Sequence, residues 1–341
     1  MTEIKNDKSK NDKENLWLGF DLGGTKMLAE VFDRKFRSLG RKRRKTRGNE
    51  GAKAGVERII ETINDALEEA ECSSDQLSGI GIGCPGPLDL NEGVILEAPN
   101  LGWKNVAIRK ELESKFKCPV IVANDVDLGL YGEYRFGIAQ DSRSVVGAFI
   151  GTGIGGACIY EGRILRGKSL SCMEVGHLSA VPNGPLSGAG HAGSLEAVAS
   201  RLSIAGNAVL AAYRGQAPYL LENFGTDISN IRSGAIAKAI QEGDTAIKQI
   251  VQHAAVQIGK TMANVIHLLA PDTIVLGGGM VEAIPELFVE TVKKTAKENV
   301  LPSFRKSFEV VAAELSDDAT VQGAAAWAES NMEQPTPKKK K

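Results

Sequence analysis

Long hydrophobic runs are missing from this chain. No apolar stretch approaches the roughly 20 residues of a membrane-spanning helix. Residues 1–15 are polar and lysine-rich, without the apolar core of a secretory leader. Cysteine is sparse: Cys72, Cys84, Cys118, Cys158 and Cys172 are scattered through 341 residues, an odd count with no metal-ligand spacing. That pattern argues against a disulfide framework and for a reducing compartment, so a cytoplasmic location is expected. A charge imbalance is missing too. The net charge is −1, and nothing global points to nucleic acid or a membrane as a partner. The one dense basic run, residues 41–45, falls where alternation suggests an exposed strand. It reads as a solvated sheet edge, with a binding patch as the alternative. Two nucleotide signatures are also absent. No glycine cluster matches the Walker-A pattern, and none matches GxGxxG in the strand–turn–helix setting that it needs.

Glycine, in contrast, is abundant, with 38 residues that cluster. Clustered glycine marks tight turns or a close approach of backbone to a ligand. The clusters recur in a series that appears twice. First comes a strand, a glycine-rich turn and a second strand: residues 16–32 (LWLGFDLGGTKMLAEVF) and 145–160 (VVGAFIGTGIGGACIY). Next comes an apolar strand running into glycine, at 80–86 (IGIGCPG) and 273–280 (TIVLGGGM). Last comes a strand, an acidic turn and a helix rich in small residues, at 120–133 (VIVANDVDLGLYGE) and 310–327 (VVAAELSDDATVQGAAAW). Amphipathic helices fit between: residues 54–70, with Val56, Ile59, Ile60, Ile63 and Leu67 at helical spacing, and residues 246–269. The alternation predicts α/β layers with parallel strands and a hairpin opening each half. Two such halves facing each other would make a ligand cleft. Residues 162–243 have no counterpart in the first half and read as a mostly helical insertion in the second domain. The expected boundaries are a disordered tail at 1–15, an N-terminal domain at 16–138 joined by a helix at 318–330, a larger domain at 139–317, and a disordered tail at 331–341.

Each cluster has a chemical reading and a bland one. Asp21, Gly23, Gly24, Thr25 and Lys26 sit at the tip of the first hairpin. There, backbone N–H groups and the Thr25 and Lys26 side chains suit phosphate oxygens, and Asp21 suits a metal ion held through water. The bland reading is a turn with no ligand. The second tip, Gly151, Thr152, Gly153, Gly155 and Gly156, strengthens the first reading, because matching hairpins can grip a phosphate chain. Gly277, Gly278 and Gly279 follow a strand at its carboxyl end, where open α/β sheets bind ligands. Asn124 and Asp125 follow the strand VIVA and open a helix, whose dipole keeps a carboxylate ionised. An N-cap Asp without chemistry is the alternative there.

Together, DLGGTK, GTGIGG and LGGGM, in this order and spacing, resemble the phosphate and adenosine motifs of the ATPase fold shared by actin and hexokinase. More closely, the chain resembles the ROK family (repressor, open reading frame, kinase) over about residues 16–328. The resemblance implies a duplicated, ribonuclease H-like α/β fold, with two domains around a cleft that closes over sugar and excludes water. It implies an ATP- and Mg²⁺-dependent transfer to the 6-hydroxyl of a hexose, glucose first. N-acetylmannosamine, N-acetylglucosamine, fructose and allose stay open as substrates, and so does polyphosphate as donor. In this family pattern Asp125 is the general base. Asn100, Asn124, Glu174, His177 and Glu196 are the sugar contacts, and a homodimer is expected. A structural histidine is the alternative for His177.

One departure is large. The family carries a zinc site of one His and three cysteines. Counted on from His177, those three positions are Ser187, Ala189 and Ser194. His177 and His191 alone make a poor zinc site, since a structural site wants four N or S ligands, so zinc is not expected. A sugar-responsive repressor or an idle sugar sensor remains the alternative. About 15 polar residues precede the first strand, too few for a helix-turn-helix. The intact Asp125, both hairpins, Glu174, His177 and Glu196 argue against an idle sensor.

Overall fold

The computed structural model describes residues 15–333, and the chain divides into two units. The first comprises Met1–Gly137, Arg166–Ser171 and Asp317–Lys341; the second comprises Ile138–Leu165 and Cys172–Ser316. Most of both expected tails lies outside the described residues.

In the first unit β1 (Leu16–Leu22), β2 (Lys26–Phe32) and β3 (Ser38–Lys45) form an antiparallel meander. Helix α1 (Ala52–Glu69) leads to β4 (Leu77–Cys84). A small three-stranded sheet follows, made of β5 (Leu88–Asp89), β6 (Val94–Ala98) and β7 (Trp103–Val106). Then come α2 (Ile108–Phe116), β8 (Val120–Asn124) and α3 (Asp125–Arg135). The main sheet has the order β3-β2-β1-β4-β8, with β1, β4 and β8 parallel. Helix α1 buries Val56, Ile59, Ile63, Ala66 and Leu67 on one face, as its spacing predicts.

The second unit repeats the plan. Strands β9 (Ser144–Ile150), β10 (Ile154–Tyr160) and β11 (Arg163–Ile164) form the meander. After the insertion with α4 (Leu195–Ala199), α5 (Arg201–Tyr213), α6 (Pro218–Phe224) and α7 (Ser233–Gln241) comes the long α8 (Thr245–Leu269). Strand β12 (Thr273–Gly277), α9 (Gly279–Ala283), α10 (Pro285–Asn299) and β13 (Glu309–Ala312) follow. The sheet order β11-β10-β9-β12-β13, with β9, β12 and β13 parallel, mirrors the first. This is the duplicated actin- and hexokinase-type fold. Helix α8 is the spine of the unit and buries Ile247, Val251, Ile258, Met262 and Ile266.

Three sequence expectations need correction. The insertion is helical only from α4 onward. Before that, residues 165–194 hold nothing longer than the single turn Val175–His177. Left-handed backbone at Met173, Asn183, Gly190 and Gly193 interrupts any helix there. Second, contrary to the expectation that no apolar stretch is long enough, Leu195–Tyr213 could span a membrane by length and composition, but it is broken at Ser200, which caps α5. It carries Glu196 and Arg201, and its apolar side chains Leu195, Ile204 and Ala208 are core. Third, the C-terminal helix α11 (Ala319–Glu333) runs past residue 330, so residues 331–333 are not tail. Met332 packs against Trp17 and Phe32, and apolar burial sustains that last turn.

Helix α11 lies directly on the first sheet because the strands there carry no side chain. A Cβ on Gly19 would sit 1.8 Å from the Val321 carbonyl oxygen, and one on Gly81 would sit 1.8 Å from that of Ala324. On the other side, Gly132 of α3 faces the Ala319 carbonyl at 2.1 Å by the same measure, and Gly323 faces that of Leu128 at 1.9 Å. Backbone cannot yield as a flexible side chain does. Gly81→Val is therefore expected to lower unfolding stability by at least about 1–3 kcal/mol. Gly206→Ala, in α5 with open space around it, is expected to raise stability by about 0.5–1 kcal/mol. Urea denaturation midpoints of the two variants check both signs.

Candidate active site

Parallel register decides which residues meet. In the first unit Asp21 on β1 is level with Gly83 on β4, and Cys84 is level with Asn124 on β8. The carboxyl ends of three strands therefore share one edge, the position where α/β sheets present ligand-binding groups. Asp21, Asn124 and Asp125 all stand there. The β1–β2 tip projects beyond it, with Gly24, Thr25 and Lys26 exposed. Thr46 pins that tip: its hydroxyl donates to the Gly23 carbonyl at 2.7 Å, and its N–H donates to the Thr25 carbonyl at 2.9 Å. Asn100 lies against the tip, its Cβ 3.4 Å from where a Cβ on Gly24 would be.

Asn124, not Asp125, caps α3. Its side-chain oxygen accepts from the N–H groups of Val126 at 2.9 Å and Asp127 at 3.3 Å. The amide nitrogen of Asn124 is its remaining donor group. Asp125 is the first residue of the helix and is half-buried. The Thr320 hydroxyl donates to its backbone carbonyl at 3.4 Å.

The edge is crowded with acid. The Asp21 carboxyl is pushed up from the usual carboxylate range to about 7, first by burial, then by the negative charges of Asp125 and Asp317, against the pull of Arg43 and Lys26. Burial and the acidic neighbours likewise push the Cys84 thiol well up, so it stays protonated and unreactive. Asp317 answers the basic strand. It pairs with Lys26 at 3.5 Å and Arg43 at 2.9 Å, while Asp318 pairs with Arg41. Residues 41–45 thus form an edge strand tied largely into acidic neighbours, Asp65 and Glu61 included. Arg43 and Asp317 read in the sequence only as parts of a basic run and an acidic turn, and Thr46 belongs to no motif, yet the three help to set the charge and shape of this edge.

In the second unit three segments converge on the β9–β10 tip, residues 151–156. Glu196 on α4 reaches its backbone, accepting from the Ile154 N–H at 3.1 Å. A Cβ on Gly153 would sit 2.1 Å from that carboxylate, so the bare glycine there makes room for Glu196. The turn bearing Glu174 and His177 packs by close backbone contact. A Cβ on Gly156 would meet the Met173 carbonyl at 2.3 Å, and one on Gly176 would meet that of Ile154 at 2.1 Å. Gly277 is level with Phe149, and Gly278, with φ +84°, approaches the Ile150 carbonyl. Gly279 begins α9. Glu174 and His177 are exposed, whereas Gly151, Gly153 and Gly155 are half-buried. Beside the tip a cavity of about 320 Å³ is lined by Thr152, Gly153, Ser187, Glu196, Ser200 and Ser203. Leu186, Ala197 and Leu202 line it too, so its wall is more apolar than polar.

The loop after His177 does not fit zinc. The Ser187 hydroxyl accepts from the His191 N–H at 3.3 Å, and the Ser194 hydroxyl caps α4 by accepting from Ala197. The Ser187 N–H donates to the His191 carbonyl at 2.9 Å and closes the turn. Against the His177 ring stands that of His191, edge-on at 6.3 Å between centroids. Among the described residues no three His, Cys, Asp or Glu side chains group to hold a metal ion.

The raised Asp21 pKa makes a stability prediction. Between about pH 4 and pH 7 the folded protein keeps a proton that the unfolded chain has released, so this group's contribution falls as pH rises. Asp21→Asn is expected to be near neutral at or below about pH 4 and to raise the melting temperature by a few degrees at about pH 8. Thermal scans at both values check it, and a variant equally or more stable at the lower pH contradicts it.

Comparisons with known proteins agree on one family. The family model described as "ROK family" matches residues 17–331. The glucokinase of Thermotoga maritima is 29% identical over 309 residues, covering 90% of this chain and 95% of that protein. The xylose repressor of Caldicellulosiruptor bescii is 25% identical over 274 residues, covering 80% of this chain and 68% of the repressor. Among solved structures, the ROK family glucokinase of Streptomyces griseus in complex with glucose and AMPPNP superposes with a TM-score of 0.79 at 29% identity, over 93% of this chain and all of that one. With its duplicated sheets, paired glycine tips and an Asn-Asp pair at the edge of the first sheet, the chain belongs to the ROK family.

Proposed function

We propose that this protein is an ATP-dependent hexose kinase that phosphorylates the 6-hydroxyl, with glucose as its first substrate. The observation that carries the reading is the position of Asp125. It opens α3 at the carboxyl edge of the first sheet, within electrostatic reach of the half-buried Asp21. Asn124 is the cap of α3, and Asp125 shares one of its bonds, its Oδ1 also accepting from the Val126 N–H at 3.0 Å. Relatives named glucokinase, matched over nearly their full length, supply the chemistry to be tested.

The transfer assigns roles to residues of both units. The Asp125 carboxylate takes the proton from the 6-hydroxyl as that oxygen attacks the γ-phosphorus and ADP departs. Positioning and charge neutralisation supply most of the remaining acceleration. The tips around Gly23, Gly24, Thr25 and Lys26, and around Gly151, Thr152, Gly153, Gly155 and Gly156, hold the phosphates through backbone N–H groups. Residues 277–279 take the adenosine side. Asn100, the Asn124 amide, Glu174, His177 and Glu196 pair with sugar hydroxyls, since a polar ligand left unpaired in a site is costly. Mg²⁺ supplies charge compensation to the phosphates when bound. Asp21, whose crowding by Asp125 and Asp317 a divalent cation would relieve, is the residue to hold it. A cytoplasmic homodimer goes with this reading. The exposed Leu202, Leu210 and Tyr213 of α5 form an apolar face of the kind that a second copy covers.

Asp125→Asn keeps shape and loses the base. Its kcat is expected to fall by at least about 10²–10⁴-fold, with sugar and ATP binding retained by calorimetry. A folded variant with near-normal kcat sinks the assignment. Wild-type protein that binds sugar without transferring phosphate to any hexose would favour a sugar-binding regulator instead.

The purified protein is expected to contain no stoichiometric zinc. It should keep its fold and activity after chelation once Mg²⁺ is restored, because hydroxyl and methyl groups at residues 187, 189 and 194 cannot replace thiolates. About one zinc per chain, retained through dialysis, would refute this.

A further inference from the structure

The β9–β10 tip, residues 151–156, contains no charged side chain. Its counterpart in the first unit contains Lys26. A loop that holds the tri-anionic end of ATP with backbone N–H groups and one threonine leaves much of the charge uncompensated. The chain supplies a cation to this tip from elsewhere. Arg201, the first residue of α5, is bound to it twice: its backbone N–H donates to the Gly151 carbonyl at 2.9 Å, and its guanidinium Nη2 donates to the Thr152 hydroxyl oxygen at 2.8 Å. Among the described residues no carboxylate pairs with Arg201, in contrast to Lys26 and Arg43, which share Asp317. The Thr152 oxygen accepts from the guanidinium, so its own proton is available to donate outward.

We propose that Arg201 is a phosphate-binding residue of the nucleotide site, the fixed positive charge of the second glycine tip. A guanidinium has five N–H donors, and the bond to Thr152 uses one of them. The bonds to Gly151 and Thr152 hold it at the tip in advance, so little side-chain freedom is lost when an anion arrives. Its remaining donors form charge-assisted bonds to phosphate oxygens, which are stronger than those of the neutral backbone around it. Arg201 neither gains nor loses a proton. Its role is to bind the polyphosphate and to steady the charge that develops on the transferring group.

The inference rests on the kinase reading, and the test separates the two. Wild-type, Arg201→Ala, Arg201→Lys and Arg201→Gln full-length proteins are titrated calorimetrically with ATP, ADP and AMP, and assayed for hexose phosphorylation. Arg201→Ala is expected to weaken ATP binding by roughly tenfold or more, ADP less and AMP least, with the sugar KM unchanged. Lysine, which restores charge, should recover most of the ATP affinity. Glutamine, which can still bond Thr152 but carries no charge, should not. Recovery by glutamine equal to that by lysine would overturn the proposal and make Arg201 a brace for the loop. So would equal losses for ATP and AMP, or an unchanged ATP affinity in the alanine variant. The lysine and glutamine variants keep the comparison intact if alanine unfolds. Wild-type protein that neither binds ATP nor transfers phosphate would instead overturn the kinase reading itself, and this assignment with it.

Discussion

The close approach of α11 to the first sheet is the contact on which the candidate site depends. Gly19 and Gly81 remove the side chains that would hold the helix off, and the backbone carbonyls of Val321 and Ala324 occupy the freed space. The helix therefore lies low on β1 and β4. Its leading turn brings Asp317 to Lys26 and Arg43, and Asp318 to Arg41. Burial is the main cause that raises the Asp21 carboxyl, and Asp317 is one of the two acidic neighbours that add to it. Lift the helix by one methyl group and the charge balance at the sheet edge changes with it. A packing constraint between residues with no chemistry of their own thus sets the electrostatics of residues that have it.

The two units use one topology for opposite electrostatic ends. Both sheets have the same strand order and gather the carboxyl ends of three parallel strands at one edge. The first unit fills that edge with carboxylates and balances them with Lys26 and Arg43. The second fills its tip with glycine, hydroxyls and one carboxylate, Glu196, which is spent partly on the Ile154 N–H. Excess negative charge suits a proton acceptor and a divalent cation. Bare N–H groups with Arg201 suit an anion. Duplication supplied the frame, and divergence at a few edge positions gave each sheet its own electrostatic character.

Much of this was legible in the sequence where the signal is local. The strand–glycine–strand pattern fixes a hairpin because alternation and turn chemistry act within about ten residues, and both hairpins appear with tips at the glycine clusters. What was not legible is carried by distant pairs. Lys26 and Asp317 are 291 positions apart, and no periodicity links them. The basic run at 41–45 and the acidic turn at 316–318 each look like ordinary surface until the fold sets them side by side. Glycine misleads in another way. Clusters were read as turns or ligand approaches, but Gly19, Gly79 and Gly81 lie inside strands and make room for α11. Gly153, which reads as a phosphate contact, also makes room for Glu196. Small size serves packing as readily as binding, and one sequence cannot separate the two uses.

The loop between His177 and Glu196 shows how a metal-sized gap in a family pattern can be filled by ordinary turn chemistry. Ser187 and Ser194, standing where thiolates are expected, each accept a backbone N–H, one closing the turn and one capping α4. Cross-strand bridges at Leu186 with Ala192 and Ser179 with Ser194 hold the two limbs of the loop together, and Gly190 and Gly193 take the left-handed backbone that such reversals need. Helix α4 therefore starts at a fixed place, and Glu196 in its first turn reaches the β9–β10 tip. The His177 ring, which ligation would have fixed, stands instead against that of His191, and both histidines are exposed. A metal bond of that kind orients a ring far more firmly than an edge-on ring contact does. The position of Glu196 is thus set by hydrogen bonds and packing, while the orientation of His177 rests on a weaker contact. Of Glu196 and His177, both proposed sugar partners, His177 is the one whose geometry an arriving hydroxyl has more room to set.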